Sequence, residues 1–196
     1  MWRRGVGSFE ALGATRQTEG APADLRIAML MYQDNAQQIS ALLGAISRPE
    51  HRPHIIALGR PHAMLELRDW LDSGGLAGLL ADRTLTGPDE AGQQRGSSIE
   101  LPFLGHPAVF NDGPFRLAAL LRRKVFFMAG LYVGGARYDV LFEPLAAFGE
   151  RARDPAERER RIRAALESYV ARLEALCRAY PHNWFNFHDF WLEDSD

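Results

Sequence analysis

The sequence predicts an α/β fold in which a mostly parallel sheet is flanked by helices. Short apolar runs alternate with stretches whose apolar residues recur at helical spacing, and the runs at 25–32, 54–58 and 76–81 each have the length of a strand. Runs that are apolar throughout are typical of strands buried on both faces, as in parallel sheets. The length allows one domain with a sizeable core and is short for two, so residues 1–196 are expected to form a single domain.

The first half of the chain supplies three of these strands and two helices. A helix is expected after Asp34, a candidate N-cap. Its apolar residues, at helical spacing, are Ile39, Leu42, Leu43 and Ile46. After the strand at 54–58, Pro61 lies where the first turn of a helix tolerates proline, and Gly74–Gly75 are expected to end that helix. The run at 76–81 is then expected to be a third buried strand.

The second half adds a polar loop, a hairpin, two longer strands and two helices. Residues 82–98 predict the loop, and residues 99–110 predict a small hairpin that turns near 104–106. Gly113–Pro114 are expected to open a helix. The next two strands, VFFMAGLYV and RYDVLFEPL, are joined through Gly134–Gly135. The second strand alternates, with one face formed by Tyr138, Val140 and Phe142.

The last helix is expected to begin at Asp154, which precedes proline in a pattern similar to a capping box. Its apolar stripe predicts a face that packs on the sheet. The stripe consists of Ile162, Leu166, Tyr169, Leu173, Leu176 and Tyr180.

Composition and charge exclude several classes of function. The formal net charge of -2 gives no general drive toward nucleic acid, so no nucleic-acid partner is expected. Because Cys177 is the single cysteine, no intramolecular disulfide can form, and its place in a helix predicts a buried small hydrophobe rather than a nucleophile. No signal peptide is visible, and no apolar run reaches the roughly 18 residues of a transmembrane helix. Any membrane contact is therefore expected to be peripheral.

Two sets of histidines, and the aromatic residues near the end of the chain, have two interpretations each. His51 with His54, or His182 and His188 with Asp189, could ligate a metal, but without a cysteine or a third convergent ligand no metal site is expected. The closing aromatic residues could stack on bases, but they lack interleaved basic residues and are expected to pack in the core. They are Trp184, Phe185, Phe187, Phe190 and Trp191.

Asp82–Arg83 come directly after the third strand and open the polar loop. Ligands of open α/β sheets bind at the carboxyl ends of strands, so this pair lies where a ligand-binding pair is expected. A salt-bridged entry to the loop is the alternative for an isolated Asp-Arg pair.

An ordered set of motifs resembles the bacterial lipid A late acyltransferases and related lysophospholipid-type acyltransferases. The segment RGSSIELPFLGHPAVFNDGPFRLAALL follows the family's order of a basic residue, an FLG hairpin and a GP helix start. YDVLFEPL is similar to the family's late strand, and YPHNWFNFHDFW to its closing WFNFFDFW signature. The resemblance runs from about Gly7 to Trp191, and it implies a glycerolphosphate-acyltransferase-like fold.

The resemblance also implies an activity. A histidine of the family deprotonates a hydroxyl of a lipid or glycolipid acceptor, and that oxygen attacks the thioester of an acyl carrier protein or of coenzyme A. No other cofactor is implied, and the expected location is the cytoplasmic face of the bacterial inner membrane. Glu10 corresponds to the acidic residue that orients the histidine. Substrate contacts are expected from Asp82, Arg83, Arg95, Gly105, His106 and Gly113.

The sequence departs from the family at the base itself. Gly5 stands five residues before Glu10, where the histidine is expected, and glycine accepts no proton. The likeness stops abruptly before Gly7, which favours a frameshift or a misassigned start over gradual loss of motifs. The DNA upstream is therefore expected to encode an apolar run ending in His, one residue, then Gly-Ser-Phe-Glu. The alternative is a pseudoenzyme that binds lipid or carrier without turnover.

Residues 151–163 form a basic run with six arginines against Asp154, Glu157 and Glu159. Such a run is usually the solvated start of a helix. It could also meet anionic lipid headgroups or an acidic acyl carrier protein through contacts that weaken with salt.

Overall fold

The structure of the protein is a computed structural model, and it describes residues 26–32, 54–58, 62–81, 97–135, 137–184 and 190–191. These residues fall into two compact units, one containing those up to Leu80 and the other those from Ala81 onward. Each unit mixes helices and strands, so the mixed α/β class is confirmed.

The first unit contains a three-stranded parallel sheet and one helix. Its elements are β1 (Ile27–Tyr32), β2 (His54–Leu58), α1 (Ala63–Asp72) and β3 (Leu76–Gly78). The strand order is β2-β1-β3, with Ala28 opposite His54 and Ile27 opposite Leu76. The predicted strands at 25–32 and 54–58, the helix after Pro61 and its end before Gly74–Gly75 are confirmed. The helix predicted after Asp34 lies outside the described residues.

The third strand is shorter and less buried than predicted. It ends at Gly78 rather than at residue 81, because its pairing with β1 is limited to three residues and stops at Met29 opposite Gly78. Leu80, beyond the strand, is 64% exposed. The expectation that the whole run at 76–81 is a buried strand is therefore wrong.

One tryptophan ties the helix of this unit to its sheet. The Trp70 ring lies parallel to the His54 ring of β2, with 4.7 Å between the ring centroids. The Trp70 indole N–H donates to the Leu76 carbonyl of β3 at 2.9 Å. A single side chain of α1 thus contacts both outer strands.

The second unit contains two antiparallel pairs and two helices. Its elements are β4 (Ser98–Phe103), β5 (His106–Asn111), α2 (Gly113–Leu120), β6 (Lys124–Gly134), β7 (Arg137–Ala147), α3 (Pro155–Ala179) and a short 3-10 helix (Pro181–Asn183). The predicted hairpin, the helix at Gly113–Pro114, the joint at Gly134–Gly135 and the Asp154 cap are all confirmed.

The expectation of a mostly parallel sheet holds only for the first unit. Among the described residues, the strands form three separate sheets, and β4–β5 and β6–β7 are antiparallel. The physical reason is the length of the connections. Short turns bring the following strand straight back, whereas parallel strands need a crossover of a dozen or more residues.

The core of the second unit lies between the β4–β5 hairpin, α2 and α3. It includes Leu101, Phe103, Phe110, Phe115, Phe148, Ile162, Leu166, Val170, Cys177 and Phe190. The predicted burial of Cys177 is confirmed. Tyr180 was expected to continue the stripe of α3, but the helix ends at Ala179 and Tyr180 is 40% exposed.

Of the closing aromatic residues that the structure describes, Phe190 is buried as predicted, whereas Trp191 is 38% exposed. Trp184 and Phe190 contact the Phe103 ring with centroid distances of 5.3 and 5.4 Å. The Trp191 indole N–H donates to the Phe103 carbonyl at 3.0 Å. Phe185 and Phe187 lie outside the described residues.

The two faces of the β6–β7 pair lie in different surroundings. Phe127 and Leu131 are buried with Leu176 of α3. The opposite face carries Phe142, which is 47% exposed and stacked on Phe126 at a centroid distance of 4.8 Å. The face predicted from Tyr138, Val140 and Phe142 exists, but it is the face turned away from α3, so these residues do not join the core that Phe127 and Leu131 form with Leu176.

Candidate functional site

The residues predicted to act in the site divide into two groups. Glu10, Asp82, Arg83 and Arg95 lie outside the described residues. Gly105, His106 and Gly113 are described, and they lie on the hairpin and at the start of α2.

The structure does not bring Gly105 and His106 together with Gly113. His106 is the first residue of β5, and Gly113 comes two residues after the strand ends at Asn111. Five residues of extended strand span about 17 Å at roughly 3.3 Å per residue. The exposed His106 ring lies edge-on to Trp191, with 6.5 Å between the ring centroids. The turn and the helix start are therefore at opposite ends of the hairpin.

The most buried polar side chain of the described residues is that of Asp112, between β5 and α2. Asp112 is fully buried. Its backbone N–H donates to the Ser97 carbonyl at 3.1 Å, and its carbonyl accepts from the backbone N–H groups of Phe115 and Arg116, each at 3.0 Å. These bonds fix the residue at the junction of the hairpin and the helix.

The local sequence explains why the chain turns here. The Asn111 side-chain oxygen accepts from the Gly113 backbone N–H at 2.8 Å, an Asx-type turn at the entry to the helix. A Cβ on Gly113 would lie 2.8 Å from that oxygen, so a larger residue here would have to displace the Asn111 side chain. Pro114 then occupies the first turn of α2, where its missing N–H costs nothing.

The Asp112 carboxylate uses one oxygen and leaves the other without a partner. Oδ2 accepts from the Ser97 hydroxyl at 3.1 Å and from the Arg116 Nε at 2.8 Å. Oδ1 is buried and has no hydrogen-bond partner among the described residues. A buried acceptor without a partner costs about 1–3 kcal/mol, so it is a position where a donor from elsewhere would bind favourably.

Arg116 extends this cluster to the start of α3. Its two terminal nitrogens bind the two Glu159 carboxylate oxygens at 2.9 and 2.7 Å. Glu159, with Asp112, raises the pKa of the Arg116 guanidinium, and Arg116 lowers the pKa of Glu159. The guanidinium is thus fully charged and held between two carboxylates. Such an arrangement fixes the orientation of these side chains and is not itself reactive.

We call Ser97, Asn111, Asp112, Gly113, Arg116 and Glu159 the Asp112 cluster. Only Gly113 was predicted from the sequence. The sequence pattern that could have revealed Asp112 and Arg116 is an Asp four residues before an Arg at a helix start, because this spacing favours an ion pair. Arg95, outside the described residues, precedes Ser97 by two positions in the chain.

The chemistry of the Asp112 cluster is that of binding. Asp112 Oδ1 can accept a hydrogen bond from a hydroxyl or an amino group. Within the part of the chain that the structure describes, no group of three or more His, Cys, Asp and Glu residues could hold a metal ion. None of the helices in the same ranges is both long and apolar enough to cross a membrane.

No protein-family model and no curated protein matches this chain.

Proposed function

We propose that the protein belongs to an acyltransferase system that moves a fatty acyl group from an acyl carrier protein, or from coenzyme A, to a hydroxyl of a lipid or glycolipid. The ordered motifs from Gly7 to Trp191 support this proposal. The family's glycerolphosphate-acyltransferase-like arrangement of strands, its peripheral position on the inner membrane and the use of lipid A or related acceptors are parts of the same proposal.

The structural observation that carries the proposal is the unpartnered Asp112 Oδ1 at the GP helix start. An acceptor lipid presents hydroxyl groups, and a hydroxyl that donates to this oxygen would have to enter through an opening of the surrounding chain, because Oδ1 is buried in the structure. Asp112 would then position the acceptor. Asp82, Arg83 and Arg95 would bind the headgroup or the thioester region.

The reaction needs a base near Glu10. The acceptor oxygen attacks the thioester carbon, the carbon–sulfur bond breaks, and the thiolate leaves as the acceptor loses its proton. Glu10 would orient the base that takes this proton. Gly5 stands in the place of that base, and this observation favours a competing proposal: a protein that binds lipid or acyl carrier without turnover.

Restoring the base separates the two proposals. The chain and a Gly5→His variant are incubated with a bacterial lipid extract and a donor that bears a radiolabelled acyl group, either acyl carrier protein or coenzyme A, and labelled lipid is quantified. A correctly placed general base typically contributes about 10² to 10⁴ in rate, so an acyltransferase should gain about 10²-fold or more. The matched control is Gly7→His, which adds the same side chain at the wrong spacing from Glu10 and should gain nothing.

Two further measurements complete the test. Asp112→Asn in the Gly5→His background should raise the KM for the acceptor with a smaller effect on kcat, because it weakens positioning rather than proton transfer. If Gly5→His yields no labelled lipid with either donor while carrier still binds, the acyltransferase proposal fails and the binding proposal stands.

A further inference from the structure

The start of α3 presents several exposed cations. Arg151 and Arg153 precede the helix, and Arg158 and Arg160 lie in its first two turns. All four are exposed. We call these four residues the arginine surface.

The acidic residues among them are already engaged. Asp154 accepts from the Glu157 backbone N–H at 2.7 Å, as the cap of the helix. Glu157 binds Arg161 at 2.6 Å and accepts from the Arg153 backbone N–H, and Glu159 binds Arg116.

The cations of the arginine surface, by contrast, remain available. Arg151 and Arg160 form no ion pair with the described residues, and Arg158 reaches Glu159 only at 3.9 Å. The N-terminus of α3 adds its own partial positive charge. The start of α3 therefore presents exposed guanidinium groups that a partner could bind.

We propose that the arginine surface docks an acidic protein, the acyl carrier that serves as donor in the proposed function. This inference rests on the proposed function and names its partner surface. Carboxylates on the carrier would pair with the guanidinium groups of Arg151 and Arg160, which form no ion pair with the described residues, and such complementarity speeds association and sets orientation.

A protein surface fits these arginines better than a membrane does. None of the exposed large apolar side chains of the described residues lies between 149 and 163. An interfacial helix inserts an apolar face into the membrane, but the apolar face of α3, with Ile162 and Leu166, is buried in the core. The interspersed carboxylates would also face a uniformly anionic lipid surface, whereas a protein partner can match a mixed pattern.

The arginine surface is continuous with the Asp112 cluster. Glu159, between Arg158 and Arg160 in the chain, binds Arg116, and Arg116 binds Asp112. A carrier docked at the start of α3 would therefore lie beside the place where the acceptor is proposed to bind.

Charge reversal tests the docking. Binding of purified holo acyl carrier protein, without an acyl group, is measured by titration calorimetry at low and at physiological salt. Arg151→Glu with Arg160→Glu should weaken binding at least tenfold at low salt, and the neutral pair Arg151→Gln with Arg160→Gln should weaken it less. The matched control is Arg178→Glu, an exposed arginine at the other end of the same helix, which should leave binding within about twofold.

Several outcomes would overturn the inference. They are equal binding by all variants, no binding by the unaltered chain, or equal loss of binding in the control.

A second measurement uses vesicles of phosphatidylcholine with anionic phosphatidylglycerol. If the chain binds these vesicles through Arg151 and Arg160 and does not bind the carrier, the surface is assigned to a membrane instead. Labelled lipid formed from acyl-coenzyme A without carrier binding would overturn the docking and leave the proposed function standing. Carrier binding without any lipid product would overturn the proposed function and leave the docking standing.

Discussion

Gly105 holds a backbone conformation that side chains rarely adopt, with φ at +95°, directly after Leu104 at +54°. A Cβ at Gly105 would meet no atom within 4 Å, so Gly105→Ala tests conformational strain without a steric clash. We expect it to lower the free energy of unfolding by about 1 kcal/mol. Urea denaturation measures this value. Gly149→Ala is the matched control, because its Cβ is equally unobstructed and its φ is not positive; it should be neutral or slightly stabilising.

Cys177 is the single thiol of the chain, and burial raises its pKa to about 11. Because the thiolate is the reactive form, raising the pKa leaves very little of it at neutral pH. We expect no reaction with Ellman's reagent under native conditions and reaction of one thiol per chain in guanidinium chloride. Rapid labelling of the native protein at pH 7 would contradict the burial of this side chain.

The Asp112 cluster shows which part of a site a sequence can predict. Gly113–Pro114 mark a helix start, and such a pattern can be predicted because it depends only on a few adjacent residues. The burial of Asp112 depends on the hairpin and the helix packing around it, and Glu159 is 43 residues from Arg116 in the chain. Contacts between distant segments leave no local pattern, so the cluster could not have been assembled from the sequence.

The first turn of α3 should make stability depend on pH. The Arg153 backbone N–H, with Arg161, holds the pKa of Glu157 below its ordinary value of 4.5, and Arg116 does the same for Glu159. A carboxylate with a lowered folded pKa contributes stability that is present above the unfolded pKa and is lost as pH falls through the folded one.

We therefore expect the melting temperature to fall as the pH drops below about 4.5. Glu157→Gln with Glu159→Gln should melt lower than the unaltered protein at pH 7, and the difference should shrink toward pH 3. Thermal melts followed by circular dichroism at both pH values check this. A difference that stays constant with pH would show that the two carboxylates titrate alike in the folded and unfolded chain.

The two faces of the β6–β7 pair should respond differently to the same loss of a ring. Phe127 is 5% exposed and packs with α3, whereas Phe142 is 47% exposed. We expect Phe127→Ala to cost about 3–5 kcal/mol. Phe142→Ala should cost about 1 kcal/mol, the value of an exposed aromatic pair. Denaturant titration of both variants measures the contrast, and equal costs would mean that the Phe142 face is also covered in solution.

Among the described residues, the positions of most strands were predictable from the sequence, whereas the arrangement of the sheets and the exposure of the strand faces were not. Ile27–Tyr32 and His54–Leu58 are recognisable because apolar runs between turn residues carry a local signal. Direction depends on which strands pair, and a continuous apolar run such as Lys124–Gly134 gives no sign of which face meets a helix. The mostly parallel sheet predicted from alternation is therefore right for the first unit only, because β4–β5, which was predicted as a hairpin, and β6–β7 are antiparallel.

The pairings of the two units also differ in the time they need to form. Tyr132 lies opposite Tyr138 across a short turn, whereas Ile27 meets Leu76 from 49 positions away. Hairpins close in about 1–10 μs, and distant parallel strands pair later because longer loops must close first. Pulse-labelling hydrogen exchange during refolding should therefore detect protection of the amides of β6 and β7 before those of β1.

Until β1 has paired with β2 and β3, the newly made chain carries an apolar strand with both edges open, and that interval is when the protein is most prone to aggregate.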